Sequence, residues 1–364
     1  MKNLSYYKKS YLNALRQQGD PLADALIPEL LANPDWAVAI NSWKGYVPVV
    51  ADLAAFSNNF QNFFAVYRSV PKQLDQRKVN LAQDFFGSQG NDYLSLLGLY
   101  SLPYCYAFAD GAQVLVRSKR ITEEVGQRLM ETALFLLDAF KPGTFLQVNE
   151  SLLTLAKVRL IHAFSRYFVK HYAKDWKAEW GVPINQEDMI GTNLAFSMLV
   201  IRGLDKLGKY PGLEVYEAVL YYWKLVGQYL GLTIESWPET SKEAFELERL
   251  IRKRHLKQSE AGIQLINSLI HYYEQTFGEP GITASLKRVI AFLVGKDASK
   301  ALNLPYTEQV PGLAFRILLD WSFTRQRESN ASITYDNTRR EFLRQSVIRL
   351  GKQVELTVPV IKRS

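Results

Sequence analysis

The 364-residue chain is 48% hydrophobic and 13% aromatic, which supplies a sizeable core and excludes a disordered or fibrous protein. Its 44 Lys and Arg against 36 Asp and Glu leave a formal charge of +8. The basic residues are scattered and sit beside acidic ones, as in "FELERLIRKRH", so they predict solvated helix faces and no nucleic-acid partner.

The amino terminus, "MKNLSYYKKSYLNALRQQGD", carries charge throughout and lacks the apolar stretch of a signal peptide. Apolar runs such as "LAFSMLVI" fall short of the 18 or so residues of a membrane span, so the expectation is a soluble, cytoplasmic protein with no span. Apolar residues recur at three- and four-residue intervals through nearly every segment. This predicts helices over 5–17, 43–66, 76–86, 92–108, 122–140, 149–174, 186–208, 214–230, 240–256, 260–277, 282–302, 312–327 and 337–352. The breaks fall at turn-forming stretches such as "FKPGTF", "WGVPIN" and "KYPGLE". Thr240 with Glu243 fits a capping box, and Asn149 and Asn185 are expected helix caps. "TVPVI" near the end is at best an edge strand, because proline cannot donate to a ladder. No repeat or linker divides the chain, so the reading is one all-α domain over 1–364, with 1–44 and 328–364 as appendages.

Local signatures for zincins, P-loop proteins, dinucleotide-binding folds and serine hydrolases are absent. The single cysteine, Cys105, precludes an internal disulfide, and its setting in "LPYCYAF" predicts a buried apolar residue. Of the four histidines, His171 reads as a surface residue near a helix end and His255 as exposed in a basic stretch. His271 lies among aromatics, where it could be buried, with no partner in view. His162, in "KVRLIHAFSRY", differs. On a helix Arg159, His162 and Arg166 fall within about 60° of one another, and flanking guanidiniums disfavour protonation of the imidazole. A neutral imidazole suits a metal ligand, and a haem iron needs one axial histidine, but a core histidine satisfied by a carbonyl fits the same pattern. Upstream, in "GQRLMETALFLLDAF", Arg128 and Thr132 stack four apart on a largely apolar helix, where they could hydrogen-bond dioxygen or merely sit on its surface. In "WGVPINQEDMIGTNLAFS", Asn185 caps a helix whose first turn holds Glu187 and Asp188, as the dipole favours.

Taken together, "RLMET", "VRLIHAFSRYF" and "GVPINQEDMIGTNLAFS" resemble the oxygenase family of latex clearing protein and MpaB, over roughly residues 45–230. The resemblance implies a globin-like helical core holding b-type haem, with His162 as proximal iron ligand and Arg166 near the haem. It implies Arg128 and Thr132 on the distal side, dioxygen and a small apolar alkene as reactants, and oxidative C=C cleavage as the reaction. Glu131 stands where the latex clearing branch has a lysine, and Asp110 lies near the position of that branch's pocket carboxylate. The alternatives are a haem protein that does not oxygenate and a helical interaction protein without cofactor.

Overall fold

The computed structural model describes residues 3–117, 124–277, 282–308 and 331–361. Among them there is no β-strand, only two isolated bridges. The fold is a single helical domain, as the apolar periodicity predicts. Its helices are α1 (Lys9–Arg16), α2 (Pro21–Asp24), α3 (Ile27–Ala32), α4 (Pro34–Ser42), α5 (Asn58–Ala65), α6 (Gln76–Leu96), α7 (Leu102–Tyr106), α8 (Ala109–Arg117) and α9 (Val125–Ala139). There follow α10 (Glu150–Tyr172), α11 (Gln186–Phe196), α12 (Met198–Lys206), α13 (Leu213–Tyr229), α14 (Ser241–His255), α15 (Glu260–Phe277), α16 (Ile282–Val294), α17 (Lys296–Ala301) and α18 (Ala331–Leu350).

The expected caps form. Asn149, Asn185 and Thr240 accept the backbone N–H groups of Ser151, Asp188 and Glu243, and the Glu243 carboxylate accepts from Glu239 N in return. The expected helix over 43–66 is shorter. Gly45 has a left-handed φ of 81°, Pro48 supplies no N–H, and a helix starts only after Ser57 caps it. Conversely, "SQGND" does not break the chain: α6 runs through with a kink at Gln89 and continues as a π-helical turn, Leu97–Ser101. The expected helices over 186–208 and 282–302 each divide, at Ser197 and at Gly295. The one over 312–327 lies outside the described residues. "TVPVI" is extended but unpaired, and Asn41 binds both the N–H and the C=O of Val358.

The aromatic content fills the core. Phe140 stacks between Phe86 and Tyr222, 4.4 Å from each, and the Trp223 indole donates to Tyr93 Oη at 2.8 Å. Tyr222, Trp223 and Tyr229 of α13 are buried, placing most of "YEAVLYYWKLVGQYL" in that core. Helices α9 and α10 pack side by side, and the short α2 lies against α10.

Candidate functional site

His162 sits in the middle of α10, a 23-residue helix whose Leu152, Leu155, Ala156, Leu160 and Ala163 are buried. The ring keeps some accessible surface, yet its Nδ1 is enclosed and has no hydrogen-bond partner. Burial first, then the nearby charges of Arg166 and Arg128, push its pKa down from 6.5 to about 3. The imidazole is therefore neutral at physiological pH. No backbone carbonyl satisfies Nδ1, as a purely structural core histidine would require.

On either side of His162 along α10, two arginines are held by the amino-terminal segment. Arg159 Nε and Nη2 donate to the two oxygens of Asp20 at 2.6 and 2.8 Å, a buried bidentate pair. Arg166, 1% exposed, donates from Nε to Asp24 at 2.6 Å and from Nη1 to Ile184 O at 3.4 Å. Ile184 has a φ of 50°, a costly conformation for a β-branched residue. Gly231 is required beside this pair: its φ is 83°, and a Cβ there would lie 2.3 Å from Asp20 Oδ2.

Across from α10, Arg128 on α9 lies within electrostatic reach of His162. Its Nη1 donates to Glu131 at 2.7 Å, and Thr132 Oγ1 donates to Arg128 O at 2.8 Å. Glu131 does not point outward: it is 4% exposed and also accepts from Gln127 Nε2 at 3.0 Å. The four expected site residues thus lie on two adjacent helices. His162, Arg166 and Arg128 share one electrostatic neighbourhood, in which Arg166 is paired with Asp24 and Arg128 with Glu131.

Residues 106–322 match the model of the family described as ER-bound oxygenase mpaB/B'/rubber oxygenase, catalytic domain. The chain belongs to this oxygenase family. The solved structure of latex clearing protein in its closed state is similar, with a TM-score of 0.68, 16% identity and 95% of each chain covered. At that identity the likeness concerns the fold. No curated protein matches the chain. Membership of the mpaB/rubber oxygenase family supports an oxygenase-type function, and no helix among the described residues is long and apolar enough to cross a membrane.

The family match includes α9, α10 and α11 but not Asp20, Asp24 or Arg16, which sequence reasoning missed because their partners lie more than 90 residues away. These residues explain "PINQEDM". Gln186 Nε2 donates to Gly19 O and Gly231 O, and its Oε1 accepts from Thr233 N. Arg16 Nη1 reaches Glu187 at 3.4 Å and Asp188 at 3.0 Å, while its Nη2 reaches Asp110 at 3.2 Å. In this member of the oxygenase family the motif is a clamp that fixes the segment carrying Asp20 and Asp24 against the histidine helix.

His255 belongs to the same clamp, and here the expectation of exposure is corrected: it is 6% exposed. The basic run around it misleads because successive residues leave a helix in different directions, and its partners come from other helices. Nδ1 faces Asp110 at 3.2 Å and Nε2 faces Glu187 at 3.0 Å, with Arg16 and Arg254 as neighbouring cations. The two carboxylates outweigh burial and raise the imidazole pKa above 6.5, while those of Asp110 and Glu187 are lowered. Burial raises that of Asp188. A raised histidine pKa contributes stability fully present below about 6.5 and lost as pH rises through the folded value. The Asp110 and Glu187 contributions run the other way, disappearing as pH falls through their lowered values. The unfolding free energy is therefore expected to decline on the alkaline side of 6.5, and His255→Gln to flatten that limb in urea titrations from pH 5.5 to 8.5. A limb of equal slope in the variant contradicts the assignment.

His171 is exposed, with Nδ1 on Tyr167 O at 2.8 Å, and His271 is exposed beside Gln275 and Glu274. Cys105 is partly buried, and burial pushes its thiol up to about 12, well away from nucleophilic use. Among the described residues no three His, Cys, Asp or Glu side chains gather to hold a metal ion.

Proposed function

We propose that the chain is a haem b-dependent oxygenase that uses dioxygen on a small apolar alkene, with oxidative C=C cleavage as the reaction. The observation that carries this reading is His162: a neutral imidazole, enclosed at Nδ1 without a hydrogen-bond partner, between two anchored arginines and opposite Arg128. A neutral imidazole on a rigid helix is a nitrogen donor that would hold a haem iron. When bound, the haem supplies the iron at which dioxygen is activated and the alkene oxidised.

The residues of this chain have separate tasks. Asp20 and Asp24 hold Arg159 and Arg166, so that α10 presents His162 in one orientation. Arg166 is a positioning residue behind His162, with its Nη2 donor buried and free of hydrogen bonds. Arg128 gives one hydrogen to Glu131 and keeps further donors that would face a polar ligand near His162. Thr132 already donates to its own helix and offers its oxygen lone pairs. Fixed donors stabilise developing negative charge without reorganising.

The test is dioxygen uptake with an added apolar alkene, with carbonyl products trapped as hydrazones. Arg128→Gln retains a donor for Glu131 but loses the charge, and is expected to lower alkene-dependent uptake on the order of 10²-fold with haem content unchanged. Thr132→Ala is expected to retain haem with altered uptake. The engagement of Arg128 and Thr132 within their own helix favours a second reading, a haem protein that does not oxygenate. Haem-loaded wild-type protein that consumes no dioxygen with alkene present supports that reading and overturns the oxygenase.

A further inference from the structure

Two adjoining hollows lie where α12, α14 and α17 meet, and neither is lined by His162, Arg128 or Thr132. The narrower, about 210 Å³, is lined by Tyr100, Tyr104, Arg202, Lys206 and Arg252. The wider, about 470 Å³, shares Arg252 and adds Arg249, Lys253, Lys257 and Lys300. The wider one has the size of a small-molecule site. Among the described residues Asp297 is the one carboxylate lining either, and it lies 3.4 Å from Arg252. Arg249 and Lys257 have carboxylate partners in Glu246 and Asp110, and Arg252 has a second in Glu248. Arg202, Lys206, Lys253 and Lys300 have none within ion-pair distance among the described residues.

At the narrow end the Arg202 guanidinium has Tyr100 and, beyond ion-pair distance, Glu248 as electrostatic partners, whereas the Lys206 ammonium has no carboxylate among the described residues. Lys206 follows Arg202 by one helical turn and donates only to the carbonyls of Phe292 and Leu293, at 3.1 and 2.6 Å. Burial and the Arg202 charge push its ammonium down to about 8. Arg202 itself reaches the Met198 sulfur at 3.9 Å. Like charges held together at one end of a hollow form a site for an anion of more than one charge. The rings of Tyr100 and Tyr104, both buried, line this end, so the cations gather around a pocket and do not form the stripe that a nucleic-acid backbone follows.

We infer that this groove binds a small organic phosphate or diphosphate, with its terminal phosphoryl group between Arg202 and Lys206 and the remainder beside Arg252, Lys253 and Lys300. Guanidinium groups suit phosphate because they present paired donors to two oxygens at once, and the lysines add point charges. The charge pattern of "RLIRKRH" reads as a solvated helix face in sequence; in the fold it becomes one wall of a basic pocket, with Lys300 on another element.

The experiment is calorimetric titration of the full chain with pyrophosphate and inorganic phosphate, at about 0.1 M salt held constant with sodium chloride, where exposed charges are partly screened. The expected result is saturable binding of one pyrophosphate per chain, tighter than phosphate. Arg202→Gln is expected to weaken it about tenfold or more, the scale of one charge-assisted hydrogen bond. The double variant Lys253→Ala/Lys300→Ala alters exposed side chains, so it tests the site without disturbing the core, and a smaller weakening is expected. Heats no different from the chloride control, or pyrophosphate binding unchanged in both variants, overturn the site.

Discussion

Asp20→Asn is expected to destabilise the folded protein by about 3–5 kcal/mol, the usual cost of removing one member of a buried ion pair. Asp20 is 3% exposed and Arg159 is 6% exposed. With an amide in place of the carboxylate, one of the two hydrogen bonds of 2.6 and 2.8 Å is lost and the other loses its charge, and the Arg159 guanidinium keeps one amide oxygen, the face of Phe63, 5.5 Å away, and Tyr67 to offset its burial. Arg166 loses a second counter-charge at 3.9 Å. The measurement is urea unfolding of the cofactor-free protein. Removing both charges in Asp20→Asn/Arg159→Met is expected to recover most of the loss, because no uncompensated guanidinium then remains. A loss below about 1 kcal/mol in the single variant means that the pair does not anchor α10.

The parts of the fold legible in sequence were those set by neighbours within a turn or two. The apolar spacing of α10 and α13 and the caps at Asn149, Asn185 and Thr240 each depend on residues two to four apart, and the structure has them where expected. Local signals fail where tertiary contacts decide. Gly90 lies in a stretch rich in turn formers, yet α6 continues through it, buried against Phe86, and Ser197 interrupts an apolar run that reads as one helix. The site divides in the same way. His162 and Arg166 stand out because helical spacing groups them, as it separately pairs Arg128 with Thr132, but Asp20 and Asp24 carry no mark in sequence, since their partners lie 139 and 142 residues away. The burial of His255 was equally hidden, because Asp110 and Glu187 approach it from α8 and α11.

The second large effect concerns His162 itself. If its unpartnered, neutral imidazole is the protein's hold on the iron, then His162→Ala removes the one nitrogen donor available there, while the ion pairs of Arg159 and Arg166 keep α10 in place. The most direct measurement is a pyridine haemochrome assay with the visible spectrum on wild-type and His162→Ala protein, both supplied with haem and both checked for helical content by circular dichroism. The account predicts about one b-type haem per wild-type chain and its loss from a variant of unchanged helicity. Equal haem in the two proteins, or a folded wild-type chain that takes up none, contradicts it.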